Sequence, residues 1–224
     1  LETGIACVSY RIGETRYTRE HFISAPDKAL IVRIEADGPG TLDFSVRLHR
    51  DPKSGSDPWK NNSGIQPSRR TQEKVEPIDA VSEGEGRLLL QGEATPEKGL
   101  SFAAALGAKQ DGGSLRTLPG AIEIRGAKSA MLVLSAATTF RYRNPTAVSM
   151  KAVNAAIDKS FEELKQAHIA DHSAYMKRTT LSLGGVDKRA HPVDERLAAV
   201  SRGEAGPDLM ALYFQFGRYL LLGS

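Results

Sequence analysis

The feature that most constrains the fold is a change of hydrophobic period at Asn144-Pro145. Over residues 5–142, short segments alternate polar and apolar side chains, as half-buried antiparallel strands do. Beyond Pro145, apolar positions recur roughly every 3.6 residues, the period of a helix. Many short strands with no helix between them argue against a βαβ sheet. The sequence therefore predicts a mainly β chain with C-terminal helices, built as an antiparallel β-sandwich followed by a helical segment.

Turn residues divide the first part into strands. Segments 5–12 and 15–24 flank a Gly13-Glu14 turn and predict a hairpin. Segments 29–37 and 41–50, on either side of "GPG", predict a second hairpin. Further strands are predicted within 86–94, 99–110, 121–127 and 129–143. Residues 51–76 are rich in Pro, Ser, Asn and charge without any period, which predicts a long exposed loop.

The C-terminal part is predicted to be helical. Pro145 suits a helix start, where its missing N–H costs nothing. The apolar stripe that follows comprises Val153, Ile157, Phe161, Leu164 and His168. Residues 179–185, "TTLSLGG", favour a short strand, and 191–203 a short helix. A last, very apolar helix starts at Pro207-Asp208.

Composition excludes several classes of function. The net charge of +3 is spread along the chain without a basic tract, so nucleic acid is not an expected partner. The sequence has no apolar run of membrane-spanning length, so no membrane is expected either. Cys7 is the only cysteine, which rules out an intrachain disulfide. Its alternating surroundings favour a small buried hydrophobe over a reactive thiol.

Three pairs of carboxylate residues are candidates for a catalytic acid and base. Glu162 and Glu163 are adjacent on a predicted helix and point to different sides, so they are interpreted as solvated charges. Asp194, beside Glu195, stands where a helix N-cap is expected. The third pair is Glu83 and Glu85, which lie in a "SEGEG" turn. A structural interpretation is preferred for all three.

His168 and His172 form the sharpest local pattern, because they are four residues apart on a predicted helix with Asp171 beside them. Two imidazoles at this spacing can bind zinc if a third ligand joins them. A metalloprotease motif needs Glu after the first His, and Ile169 stands there. Packing of the helix against the sandwich is the preferred interpretation, and no metal is expected.

Trp59 is a candidate for stacking on a sugar ring, since it is the only tryptophan and lies in the long polar segment. The alternative is a loop anchor packed on the sandwich. The "NNS" stretch at 61–63 fits an N-glycosylation sequon, which matters only in a eukaryotic source.

The order of several segments resembles glycoside hydrolase family 95, the α-L-fucosidases. The resemblance rests on "YTREHFISAPDKALIVRIEADGPGTLDFSVRL", "LLLQGEA", "GLSFAAAL", "AMLVLSAATTFR", "SFEELKQAHIADHSAYMKRTTLSLGG", "VDERL" and "LYFQFGRYLLLGS". It covers nearly the whole chain except 51–76. None of these segments is a catalytic motif, and the common order carries the resemblance.

The resemblance implies a β-sandwich, a helical linker and an (α/α)6 barrel that holds the active site. Residues 1–142 would be a sandwich incomplete at its N-terminus, 143–184 the linker, and 185–224 the truncated beginning of the barrel. The family inverts the anomeric centre with an acid and a base, assisted by asparagines. These groups lie beyond the part that matches Ser224, so no catalytic residue is named and no cofactor is expected. Secretion or a periplasmic location is expected from the resemblance alone.

The leading hypothesis is a non-catalytic fragment of an α-L-fucosidase, whose fucosylated glycan would bind the barrel. A stand-alone carbohydrate-binding sandwich is one alternative. A related hydrolase such as an α-L-galactosidase is another, because the sandwich does not determine the substrate. The helix at 208–222 is expected to leave an apolar patch that permits self-association. Its predicted members are Leu209, Leu212, Phe216, Tyr219 and Leu220.

Overall fold

The computed structural model describes residues 1–50, 78–95, 99–184, 191–204 and 206–223. Within them, strands occupy most of the first part and helices the last part, as the period change predicts. The twelve strands are β1 (Ala6–Ile12), β2 (Thr15–Ser24), β3 (Ala29–Asp37), β4 (Leu42–Arg47), β5 (His49–Arg50), β6 (Ile78–Asp79), β7 (Val81–Ser82), β8 (Arg87–Thr95), β9 (Leu100–Asp111), β10 (Ser114–Leu118), β11 (Ala121–Ala127) and β12 (Ser129–Thr138). The four helices are α1 (Pro145–Ile157), α2 (Phe161–Met176), α3 (Val193–Ser201) and α4 (Pro207–Leu222).

The strands form two facing antiparallel sheets and one short pair. The larger sheet has the order β1-β2-β3-β12-β9-β8-β7, the smaller one β10-β11-β4, and β5 pairs with β6. A core of fully buried side chains, including Leu88 from the larger sheet and Ile122 and Ile124 from the smaller, lies between them. The predicted β-sandwich is therefore present.

The predicted second hairpin is wrong. β3 and β4 follow each other along the chain but belong to different sheets. The "GPG" segment crosses between the sheets, and Lys128 Nζ donates to the carbonyl oxygens of Gly38 and Gly40 at 2.8 and 2.9 Å. A Cβ on Gly40 would lie 2.7 Å from Thr15 Oγ1, so a larger residue at this crossing would displace the Thr15 side chain.

Helix α1 covers the second face of the larger sheet. Ser149 Oγ donates to the Ala103 carbonyl at 3.2 Å, and a Cβ on Gly107 would lie 2.7 Å from Val153. The small residues of β9 therefore let the helix approach closely. Both faces of this strand are buried, which explains why "AAALGA" does not alternate.

Two sets of hydrogen bonds stabilise the end of α1 and the start of α2. Lys109 Nζ donates to the carbonyls of Ile157 and Lys159 at 2.7 and 2.6 Å, at the end of α1. Ser160 and Glu163 then form a capping box, in which each side chain accepts from the other residue's backbone N–H. The apolar stripe from Val153 to His168 is therefore carried by two helices.

Contacts between residues divide the chain into two compact units, 6–164 and 1–5 with 165–224. The first is called the sandwich unit here and the second the helical unit. Residues 179–184, the described part of the strand predicted at 179–185, have no regular secondary structure. No helix in the described ranges is long and apolar enough to cross a membrane.

Candidate functional site

The helical unit holds two clefts and most of the polar clusters considered for function. Its first cluster joins α2 to residues 1–4. His172 Nε2 lies 2.9 Å from the Leu1 carbonyl oxygen, and Ser173 Oγ donates to the Glu2 carbonyl at 2.9 Å. Gly4 has a φ of +61°, and a Cβ there would meet His168 Nε2 at 3.0 Å. The histidine pair thus packs against the N-terminal segment.

Among the described residues, the histidine pair has no third metal ligand near it. The two rings stack at 5.6 Å, and the described residues contain no group of three His, Cys, Asp or Glu side chains able to hold a metal. Burial lowers the pKa of His168, which is only 4% exposed, and the neighbouring His172 lowers it further. Hydrogen bonds to the backbone of Thr3 and Gly4 oppose this shift. A neutral, packed imidazole at 168 follows from this setting.

None of the three carboxylate pairs is arranged as an acid and base. Glu163 belongs to the capping box, and hydrogen bonds from Ser160 lower its pKa, whereas a general acid needs a raised one. The predicted N-cap at Asp194 is wrong, because Pro192 is the cap residue and Asp194 lies in the first turn. The Glu83 and Glu85 side chains are exposed in the turn before β8.

Arg218 of α4 donates hydrogen bonds to several backbone carbonyls at the end of α2. Its Nη1 donates to Met176 O at 3.0 Å and to Thr179 O, and its Nη2 donates to Tyr175 O at 3.1 Å. Gln215 Oε1 accepts from the same guanidinium at 2.9 Å. A positive charge at a helix C-terminus also meets the negative end of its dipole.

A buried ion pair joins α3 to α4. Arg196 Nη2 donates to Asp208 Oδ2 at 2.7 Å, with side-chain exposures of 6% and 16%. The pair borders a cleft of about 740 Å³ whose other walls are residues 1–3, 176–177 and 180–184 and one side of α4.

A second cleft, of about 670 Å³, is almost wholly apolar. Val193 and Leu197 of α3 face Leu209, Tyr213 and Phe216 of α4 across it. No residue of α4 is buried within the described structure, although the helix is rich in Leu and aromatic side chains. Of the five predicted patch residues, Phe216 and Leu220 are exposed and the other three are half-buried.

The two remaining candidates from the sequence are Cys7 and Trp59. Cys7 was predicted to be buried, which is wrong, because every residue of the edge strand β1 is exposed. Trp59, the sequon at 61–63 and the predicted loop lie outside the described residues.

Comparison with known proteins places these features in a family context. A family model described as "Glycosyl hydrolase family 65, N-terminal domain" matches residues 1–143. A second, described as "Glycosyl hydrolase family 95 catalytic domain", matches residues 160–224. The second match begins inside the segment predicted as a linker, and the boundary at 184–185 stays a prediction.

Relatives with curated descriptions agree with these matches. The chain is 29% identical to "Alpha-L-fucosidase 2" of Arabidopsis thaliana and 24% identical to "Probable alpha-fucosidase A" of Aspergillus niger. Each alignment covers 100% of the chain and 28% of the relative, so the chain spans 28% of the length of these proteins.

A solved structure described as a putative kojibiose phosphorylase from the human microbiome has the same fold. Its TM-score is 0.52 at 8% identity, over 79% of this chain and 24% of that one. A β-sandwich followed by helices agrees with the two glycosyl hydrolase family matches. The chain belongs to the family described as glycosyl hydrolase family 65, N-terminal domain, over residues 1–143, and residues 160–224 match the family 95 catalytic domain. The resemblance to family 95 α-L-fucosidases is thereby confirmed.

The sequence pattern does not predict the roles of Arg196 and Arg218, the two arginines that organise the helical unit. Arg196 meets Asp208 from another helix, and Arg218 meets carbonyls about forty positions earlier in the chain. A spacing pattern does not reveal such contacts, because they depend on how the helices pack. The signal available was Arg218, which lies within an otherwise apolar helical segment, whereas Arg196 stands among charged residues and gives no such signal.

Proposed function

We propose that this chain is the scaffold part of an inverting α-L-fucosidase, with the catalytic acid and base in a part of the protein that follows. The observation that carries the proposal is the succession, in one chain, of an N-terminal hydrolase domain and a family 95 catalytic segment. The fucosidase relatives, aligned over the entire chain, support the substrate class.

The arrangement of acidic side chains agrees with a scaffold role. An inverting glycosidase needs two carboxyl groups roughly 6.5–9.5 Å apart across a sugar site. The carboxylates singled out in the sequence are instead capping or exposed, as Glu163 and Glu83 illustrate. In the proposed protein, the sandwich unit supports the barrel, and α4 contributes one of its core helices.

The test compares the full-length gene product with the 224-residue chain on a glycan that ends in α-L-fucose linked to galactose. Proton NMR during hydrolysis would identify the first anomer released. We expect the full-length protein to release β-L-fucose first and this chain to release none.

Four other results would contradict parts of the proposal. Release of the α anomer first would exclude inversion. Hydrolysis of α-L-galactosides in preference to fucosides would favour the related hydrolase. Fucose release by the 224-residue chain itself would exclude the scaffold role, whereas glycan binding without hydrolysis by the full-length product would favour a carbohydrate-binding sandwich.

A further inference from the structure

The smaller sheet of the sandwich unit covers only part of the larger one. The inner face, as we call the side of the seven-stranded sheet that looks toward β10, β11 and β4, contributes Ala36 and Leu106 to the core. Strands in every sheet lie about 4.8 Å apart, so three strands do not span the width of seven. Part of the inner face therefore extends beyond its cover.

The register places the large side chains of β1 on the inner face. In an antiparallel pair, directly opposed residues lie on the same side of the sheet. Tyr10 is opposite Tyr17, and Tyr17 is opposite Ala36 of the core. Because side chains alternate along a strand, Val8 and Ile12 share the face of Tyr10.

The uncovered part of the inner face is apolar. The exposed fractions are 50%, 47% and 64% for Val8, Tyr10 and Ile12. Ile23 of β2, opposite Leu30 on the same face, is 73% exposed. Every exposed large apolar side chain of β1 and β2 thus lies on the inner face, where it continues the interface between the two sheets.

The smaller sheet has an open edge on the same side. β10 and β11 lie over β8 and β9, whereas β4 directly follows the crossing from β3. In the described structure β4 pairs with β11 alone, which leaves its other edge without a strand. A hairpin added to that edge would lie over β3, β2 and β1 and would cover their apolar side chains.

Arg19 sets a further requirement for the segment that docks here. It is exposed on the inner face, between Val8 and Ile34. Covering a guanidinium is costly unless a carboxylate or carbonyl oxygen meets it. The inner-face positions of β1, β2 and β3 include no acidic residue, so a second copy docked through this face would add a second Arg19 and no counter-charge.

The order of the family matches indicates where the segment comes from. Residues 160–224 match a catalytic domain, which the part after Ser224 is expected to continue. Residues 1–143 match an N-terminal domain, so a segment that completes it is expected before Leu1. We propose that the inner face binds a β-hairpin from the part of the protein that precedes Leu1, with one strand paired to β4 and an oxygen acceptor facing Arg19. This inference rests on the longer protein proposed above but not on its activity.

Photo-cross-linking in the full-length gene product identifies the segment. The photo-reactive amino acid p-benzoyl-L-phenylalanine replaces Ile23, and mass spectrometry identifies the cross-linked peptide. The proposal predicts a cross-link to a segment before Leu1. A cross-link to the part after Ser224 or to a second copy would overturn it, as would no cross-link or a gene product that begins at Leu1. The result is read without substrate, so a different hydrolytic activity would leave it unchanged.

Thiol labelling tests which face of β1 is covered. The double variant Cys7→Ser, Val8→Cys moves the thiol from the opposite face to the inner face. Labelling at position 8 should be at least about tenfold slower in the full-length product than in the 224-residue chain, and labelling of the natural Cys7 should change less than about twofold. Equal labelling of position 8 in both proteins, or equal protection of both positions, would overturn the proposal. Ile23→Cys carries the same expectation if the double variant does not fold.

Charge reversal tests the acceptor opposite Arg19. In the full-length product, Arg19→Glu should speed labelling at position 8 about fivefold or more, because a carboxylate would then face an oxygen acceptor. Arg16→Glu is the matched control, since Arg16 is exposed on the other face of β2 and its Nε donates to Ser9 Oγ at 2.8 Å. Equal labelling rates in the two variants would overturn the acceptor assigned to Arg19.

Discussion

At the scale of single residues, His168 makes the helical unit sensitive to pH. Its pKa is lowered in the folded state, chiefly because burial disfavours the charged ring. Below the ordinary histidine pKa of about 6.5, the unfolded chain therefore binds a proton that the folded chain resists. Stability is present above that pH and is lost as the pH falls through it. The facing groups His172 and Asp171 act in opposite directions on this pKa, with burial remaining the larger cause.

The prediction for His168 is tested by urea unfolding between pH 7.5 and 5.5, followed by helical circular dichroism. As the pH decreases, the free energy of unfolding should decrease in the natural chain and decrease much less in His168→Gln. His191→Gln is the control, because His191 is exposed and lies 3.9 Å from Glu195. An equal pH dependence in the natural chain and His168→Gln would contradict the assignment.

Arg218 is the second residue with a large expected effect. Replacing it with Met leaves the carbonyls of Tyr175, Met176 and Thr179 without their shared donor. We expect a loss of about 1–3 kcal/mol in the free energy of unfolding of the helical unit. Arg218→Lys should recover less than half, since an ammonium group does not reproduce a planar fork of donors.

The control for Arg218 is Arg178→Gln. Arg178 also donates to a carbonyl near the end of α2, that of Ala174 at 3.1 Å, but it is exposed and its contact is local. Its replacement should change the free energy of unfolding by less than about 0.5 kcal/mol. A loss in Arg218→Met no larger than in this control would show that the carbonyl contacts do not stabilise the unit.

At the scale of elements, α1 begins at an N-cap that can be recognised in the sequence. Asn144 Oδ1 accepts from the Ala147 N–H at 2.9 Å, and Pro145 occupies the first turn. Asn144→Ala should cost about 1 kcal/mol of stability in the sandwich unit, because one N–H of the first turn loses its partner. Asn144→Asp retains an acceptor and should cost little. Thermal unfolding of both variants is the measurement, and equal midpoints would contradict the cap.

The sequence predicted element types well where the local pattern is also the cause of the structure. The first hairpin, the long strands and α4 follow from alternation, turn residues and helical period. Strand β10 was missed, because "SLRTL" is short and lies between glycines. The strand predicted at 179–185 did not form over the described residues 179–184, since an alternating segment becomes a strand only when an edge is available for pairing.

The local sequence pattern does not predict which sheet a strand joins, and it does not predict the candidate site. β4 crosses to pair with β11 instead of β3, and the crossing segment contacts Lys128, which is ninety positions from Gly38. The Arg196 cleft likewise depends on the packing of α3, α4 and residues 1–3. The sequence could identify the apolar helix and its first turn, but not the partner that Asp208 would find.

At the scale of the whole molecule, the two units differ in what is buried. The sandwich unit buries Ile31, Leu88 and Val133 completely. In the described part of the helical unit the buried residues are His168, Ser173, Met176 and Arg196, of which one is apolar. Since apolar burial is the main stabilising contribution to folding, the helical unit should be the less stable of the two.

Hydrogen exchange measured by mass spectrometry tests this difference. Amides of β9, β12 and α1 should exchange slowly, and those of α3 and α4 much faster, in a dilute solution of the chain. Local opening of α4 costs little because none of its described residues is buried. Similar protection in α1 and α4 at the lowest concentration would contradict the prediction.

Concentration should then change the behaviour of α4 alone. Met210, Tyr213 and Leu221 are 61%, 80% and 76% exposed, so association through this helix would remove apolar surface from water. As concentration rises, exchange at α4 should slow while exchange at α1 stays constant, and sedimentation should show a growing dimer fraction. Tyr213→Lys and Leu221→Lys should abolish both effects, whereas Ile23→Lys, which replaces an exposed apolar residue of β2, should not. A chain that stays monomeric, with α4 equally exposed at every concentration, would exclude association through the helix.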